Sequence, residues 1–327
     1  MNQPRNLRRT LVGATLALGA LAAAVPAFAQ ASWPTRPIRI VVGFAPGGTT
    51  DVMARLVAQQ LTESLGQSVV IDNKPGASGN IAAAEVVRAT DAHTFLIAPT
   101  SFETANPYLF KSTLLPSRDL TPVAGIGRTQ MYLVAKPQST AKNARELVEQ
   151  ARANPDKMSY ASAGAGTPPH LACELFKKAA SMPVTHVPYR GAAPALQDVL
   201  SGQADFVCDP GIAFPHIRTG KAKLLGVVSS KRSPFFPEVP TLAEQGIPGA
   251  DLDIWFGLWA PNGTPADVVA RVNREVAKAL TNATLKARYA DLGGEAIHVE
   301  TADFKRLLVN EGNVLSALIK EQKISVD

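Results

Sequence analysis

The sequence predicts an α/β chain of two sheet domains that the polypeptide crosses twice. Strand-like and helix-like stretches alternate throughout, which argues for parallel sheets with helices on both faces. The order of strand, Gly-rich turn and helix occurs once in each half, at Gly43 to Asp51 and at Ser162 to His170. A last run of helical periodicity, after Thr264-Pro265, returns to the first unit.

Taken in order, the chain opens with Arg5, Arg8 and Arg9, an uncharged Ala/Leu-rich run from Leu11 to Val25, and the small-x-small site Ala27-Phe28-Ala29. Residues 1–29 therefore read as a secretory signal peptide, so an exported protein is expected. The formal charge of +6 holds those three arginines. Without them 30 basic residues face 27 acidic ones, and no basic cluster remains to bind nucleic acid. About 300 mature residues fit two medium domains. Only Cys173 and Cys208 occur; an oxidising compartment permits a bridge, but two buried free thiols are the expectation.

Ile38 to Val42 is a β-branched run that reads as a buried strand. Gly43-Phe44-Ala45-Pro46-Gly47-Gly48-Thr49-Thr50-Asp51 follows, and then Val52, Met53, Leu56, Val57, Leu61 and Leu65 recur at helical spacing before the stop at Gly66. The turn thus lies between a strand end and a helix start, where the first N–H groups lack partners and the dipole is positive. Glycines let an anion approach, and Thr49 and Thr50 add hydroxyls. Asp51, at N3 if Gly48 is the N-cap, can brace the turn by reaching back to the N-cap N–H. No Lys lies in the turn, so it is not a P-loop.

Further strands are read at Ser68 to Asp72 and Thr94 to Ala98, the second followed by Thr100 and Ser101 outside its carboxyl end, where open α/β sheets bind ligands. A small-residue helix runs from Asn80 to Ala89, and residues 104–130 look irregular, with Pro107, Pro116 and Pro122. A second series begins at Met131. Thr140 is expected to cap a helix, and Ser159 to Ser162 forms a strand running into Ala163-Gly164-Ala165-Gly166-Thr167-Pro168-Pro169-His170. Strand-to-loop junctions recur at His186 to Gly191 and Asp205 to Pro210, and Asp251 to Trp259 is a long apolar extended stretch. The expected domains are residues 33–130 with 255–327, and 131–254.

The chain resembles the tripartite tricarboxylate transporter receptors, the Bug family of periplasmic solute-binding proteins. The fragments that carry this are Trp33-Pro34, Pro46-Gly47-Gly48 with Asp51, Asn73-Pro75-Gly76-Gly79-Asn80, Tyr160-Ala161-Ser162-Ala163-Gly164, Val187-Pro188-Tyr189 with Gly191, and Trp255-Phe256-Gly257-Leu258, in family order and spacing. The resemblance implies a two-domain periplasmic-binding-protein-like Venus flytrap, a periplasmic monomer that takes a small carboxylate between its domains and delivers it to the membrane subunits of such a transporter. It implies that the carboxylate is held by Phe44, Gly47, Gly48, Thr49, Thr50 and Asp51 and by Ser162, Gly166 and Thr167, with Thr100, Ser101, Tyr189 and Asp209 lining the cleft. Phe102-Glu103 and Cys208-Asp209-Pro210 depart from the family pattern and bear on the ligand, not the fold.

Two other functions stand beside it: a ligand-sensing adaptor for a membrane signalling protein, and a secreted hydrolase. Tyr160-Ala161-Ser162-Ala163-Gly164 has the outline of a nucleophile elbow but Tyr160 replaces the first Gly, and His170 near Ser162 reads as a helix-terminus residue rather than a base. No catalytic residue, cofactor or metal is expected: the five His and two Cys show no ligand spacing. The two Gly-rich turns are expected to face each other across the cleft, each offering N–H groups and hydroxyls.

Overall fold

The computed structural model of the protein describes residues 33–111, 114–321 and 323–326. The segment read as a signal peptide lies outside them. Strands β1 (Ile38–Val42), β2 (Val69–Asn73), β3 (Thr94–Pro99), β4 (Leu120–Thr129), β10 (Ile254–Pro261) and β11 (Gly294–Glu295) form one sheet in the order β11-β4-β10-β3-β1-β2. Strands β5 (Tyr132–Ala135), β6 (Met158–Ser162), β7 (Val184–Pro188), β8 (Phe206–Asp209) and β9 (Lys223–Val227) form a second in the order β7-β6-β8-β5-β9. The helices are α1 (Thr49–Leu65), α2 (Asn80–Val87), the single turns α3 (Ser101–Thr104), α4 (Asn106–Leu109) and α5 (Pro116–Asp119), then α6 (Ala144–Ala153), α7 (Pro168–Ala179), α8 (Ala192–Ser201), α9 (Phe214–Arg218), α10 (Ala266–Ala279), α11 (Ala283–Asp291) and α12 (Thr301–Glu321).

The sheets are mixed, not parallel as expected. β5 pairs antiparallel with β8 and β9, and β10 antiparallel with β3 and β4. The cause is the crossing itself. Each crossover leaves one sheet at the carboxyl ends of its parallel strands and enters the other from that same side, so the first strand it forms runs against its neighbours. The crossing segments lie side by side: the Val228 N–H donates to Met131 O at 2.7 Å and the Leu252 N–H to Val228 O at 3.0 Å. Ten-residue β4 was hidden by Pro122, Gly125 and Gly127. Pro122 sits where the pairing with β10 slips, and glycine is required at 125 because Val299 crosses 2.8 Å from where a Cβ would stand.

Apolar spacing places the helices. On α1, Met53, Val57, Leu61 and Leu65 are buried, and Gly66 ends the helix at φ 69° by donating to Thr62 O. On α6, Ala144, Leu147, Val148 and Ala151 face inward as read, but Asn143 caps it, accepting from the Glu146 N–H, in place of Thr140. α12 returns to the first sheet, where Phe304 and Leu308 pack with Trp259, Phe102 and Val41. The second core gathers Tyr132, Leu196, Val207 and Phe214. α7 lies over β8, and this overturns the expectation of free thiols: Cys173 and Cys208 form a disulfide with Cα atoms 5.7 Å apart. Among the described residues no helix is long and apolar enough to cross a membrane.

Candidate functional site

Carboxyl ends of strands from both sheets converge on one cleft. The turn after β1 meets the loop after β7, where the Ala45 N–H donates to Arg190 O at 3.1 Å. The Ser78 hydroxyl reaches Ala165 O after β6, and Thr49 Oγ1 lies 3.5 Å from Pro210 O after β8. Beside these contacts lies a cavity of about 30 Å³ lined by Phe44, Gly48, Thr49, Thr50, Pro99, Ala163, Thr167, Pro168, Pro169, Ala192, Pro210, Ile254 and Phe256. That is room for about two water molecules.

The turn after β1 is held from behind and open in front. Asp51, 2 % exposed, accepts from the Gly47 N–H (2.9 Å) and Arg55 Nε (2.9 Å) through Oδ2, and from Asn73 Nδ2 (2.8 Å) through Oδ1. Burial pushes its carboxyl up, but these donors outweigh burial and hold it below the ordinary range. The brace reaches Gly47, one residue before the N-cap Gly48. With Asp51 turned inward, the Thr49 and Thr50 N–H groups of the first helical turn keep no partner among the described residues. Thr50 Oγ1, on a residue 7 % exposed, likewise has none and borders the cavity.

The turn after β6 is spent on itself. The Gly164 N–H donates to Ser162 Oγ (3.1 Å), the Gly166 N–H to His170 Nδ1 (3.1 Å) and the Thr167 N–H to Gly164 O (3.2 Å). Pro168 and Pro169 have no N–H, and Thr167 Oγ1 donates to Gly164 O at 2.6 Å. From Gly164 to Pro169 only Ala165 keeps a free N–H, and Ala165 borders a neighbouring groove. The expected pair of donor turns is therefore one-sided. What the sequence reading missed is α8: its N-cap is Gly191 and its first residue, Ala192, lines the cavity beside Gly48. The signal was present in Tyr189-Arg190-Gly191, a glycine at φ 153° where a Cβ would stand 3.0 Å from Ala45 N.

Comparison with known proteins gives this arrangement a family. The model of the tripartite tricarboxylate transporter family receptors matches residues 53–324. The chain belongs to that family. It is 33 % identical to BugT of Bordetella pertussis over 98 % of each chain. Two solved structures align over nearly all of their length: MatC of Rhodopseudomonas palustris with bound malate (34 % identity, TM-score 0.84, 88 % of this chain and 100 % of MatC) and Rpa4515 of the same organism with adipate (34 %, 0.86, 90 % and 99 %). The fold is the two-domain Venus flytrap of these periplasmic receptors, which are solute-binding proteins and not enzymes.

In this receptor, of the residues the sequence nominated, Phe44, Gly48, Thr49, Thr50 and Thr167 line the cavity, and the others stand behind it. Gly47 and Asp51 form the brace. Thr100 binds Trp255 O through its N–H at 2.8 Å, and Ser101 begins α3; both are buried. Gly166 is pinned under Phe110, and Tyr189 donates to Asp198 at 2.5 Å. Asp209 accepts from the Gly211 (2.7 Å) and Ala213 (3.0 Å) N–H groups, while burial pushes it up to about 7. Trp255 lies outside the cavity and Phe256 within it. Ser162 is fully buried, and its hydroxyl partner is His186 Nε2 at 2.6 Å, not His170. Burial pushes His170 and His186 down to about 4, so both are neutral, and among the described residues no carboxylate bonds either ring. Glu174 is held by Tyr160 and Lys177. Ser162, buried and bonded to His186 and to the Gly164 N–H, thus braces the turn.

Proposed function

We propose that the protein is an exported periplasmic receptor that closes two lobes, residues 33–130 with 255–327 and 131–254, on a small carboxylate. It then delivers the acid to the membrane subunits of a tripartite tricarboxylate-type transporter, acts as a monomer and turns over no substrate. The observation that carries this reading is the meeting of two helix starts, α1 at Thr49-Thr50 and α8 at Ala192, on a small cavity whose lining holds no Lys or Arg. N–H groups at such ends make charge-assisted hydrogen bonds to an anion, and both dipoles add to the same field. Relatives holding malate and adipate support the ligand class.

The proposed clamp is Phe44, Gly48, Thr49, Thr50 and Ala192, with Thr167 as a wall of the cavity and Gly47, Asp51, Ser162, Gly166, Thr100, Ser101, Tyr189 and Asp209 supporting it. An acid with even a short tail holds the lobes further apart than they stand here, so ligand enters an open form and closure follows. Native mass spectrometry of protein taken gently from its host tests the reading. A carboxylic acid should be released from the complex; an amine, a sugar or a peptide in its place would overturn it.

A further inference from the structure

The walls of the cavity divide sharply by chemistry. Its free donors come from two helix starts: the Thr49 and Thr50 N–H groups and the Thr50 hydroxyl on α1, and the Ala192 N–H on α8. Most of the remaining lining is Pro99, Pro168, Pro169, Pro210, Ile254 and Phe256, none of which brings a free side-chain or backbone donor to the space. Four prolines bring no N–H, and Thr167, which also lines the cavity, commits its hydroxyl proton to Gly164 O. A second carboxylate pressed against these walls would lose its water and gain no donor.

We infer that the ligand is a monocarboxylic acid with a compact apolar body, and that diacids are rejected. This rests on the carboxylate reading above and narrows it. Arg190 does not supply a second seat. It is exposed, it borders the neighbouring groove, and Phe44 and Ala163 stand between that groove and the cavity. Pro168 and Pro169 are thereby specificity-determining residues: they start α7 with the two positions that elsewhere offer an anion its N–H groups.

Calorimetry on protein stripped of co-purified ligand tests this with 3-methylbutanoate and benzoate against succinate, glutarate and malate. The better monoacid should bind at least a hundredfold tighter than any of the diacids. Pro169→Ala, which restores one N–H at the second helical position, should narrow that gap at least fivefold. Arg190→Ala should change neither class by more than threefold. A diacid binding as tightly as the monoacids, or a loss confined to diacids in Arg190→Ala, would overturn the inference while leaving the carboxylate reading standing. If none of the five acids binds, the carboxylate reading falls and takes the inference with it.

Discussion

The turns after β1 and β6 share a sequence plan of strand, glycines, threonine and helix, yet they spend their hydrogen-bonding capacity in opposite ways. After β1 one carboxylate, Asp51, turns inward and takes the Gly47 N–H, Arg55 and Asn73, which leaves the helix start unpaired toward the cleft. After β6 the braces are neutral, Ser162, His170 and His186, and they take up the turn's own N–H groups. Similar Gly-rich turns become a binding surface or a wall according to which donors their supports leave over.

Four measurements bear on that contrast. The largest effect is expected behind the wall, where the disulfide ties α7 to β8. Cys173→Ala with Cys208→Ala should cost about 3–4 kcal/mol, by the chain-entropy model for a loop of that length, read from denaturant unfolding. An unchanged midpoint would mean that the wall is held by packing alone. Next comes Asp51→Ala. Losing charge-assisted bonds should lower ligand-free stability by about 2–3 kcal/mol and weaken binding as a consequence. Equal melting temperatures would show that Asp51 belongs to the ligand and not to the brace.

Thr50→Val and Ser162→Ala then separate the two turns directly. Thr50→Val should weaken acid binding about tenfold, equal to roughly 1.4 kcal/mol, with stability unmoved. Ser162→Ala should do the reverse, costing about 1 kcal/mol of stability with affinity within threefold. Exchanged outcomes would reverse the assignment of face and wall.

The smallest effect is a difference in acid response. His170 and His186 sit at about 4, below their ordinary 6.5, so their support is full above 6.5 and is lost as pH falls toward 4. Asp51 lies below its ordinary 3.8, and its support outlasts theirs. In an NMR titration from pH 7 to 3 the Gly166 amide should shift with a midpoint near 4 while the Gly47 amide moves only at lower pH. Concerted movement of both would show that the turns are not braced separately.

Much of this was legible in the residues. β-branched and apolar runs gave β1 and β3, and the glycines located the turns, the second of them marking the end of β6. Periodicity gave the buried faces of α1 and α6. What stayed hidden depends on partners far along the chain. Pro168-Pro169 is plain to read, but that Gly166 spends its N–H depends on His170 folding back. Ser162 reaches a histidine 24 residues away, and Cys173 a cysteine 35 residues away. β4 was masked because its proline and glycines mark bulges and close crossings, and those look like loop in a one-dimensional pattern.

One consequence follows from where β10 sits. It lies in the middle of the first sheet, between β3 and β4, yet it is made from residues 254–261, after the whole second sheet. The second sheet is built from one uninterrupted stretch, Tyr132 to Val227. As the chain emerges from its amino end, the first lobe waits with a gap where its central strand belongs, while the second has every strand it needs. Shorter loops close first, so the lobe that comes second in sequence should fold first. Pulse-labelled hydrogen exchange during refolding should find amides of β6 and β8 protected before those of β3, and the opposite order would refute this.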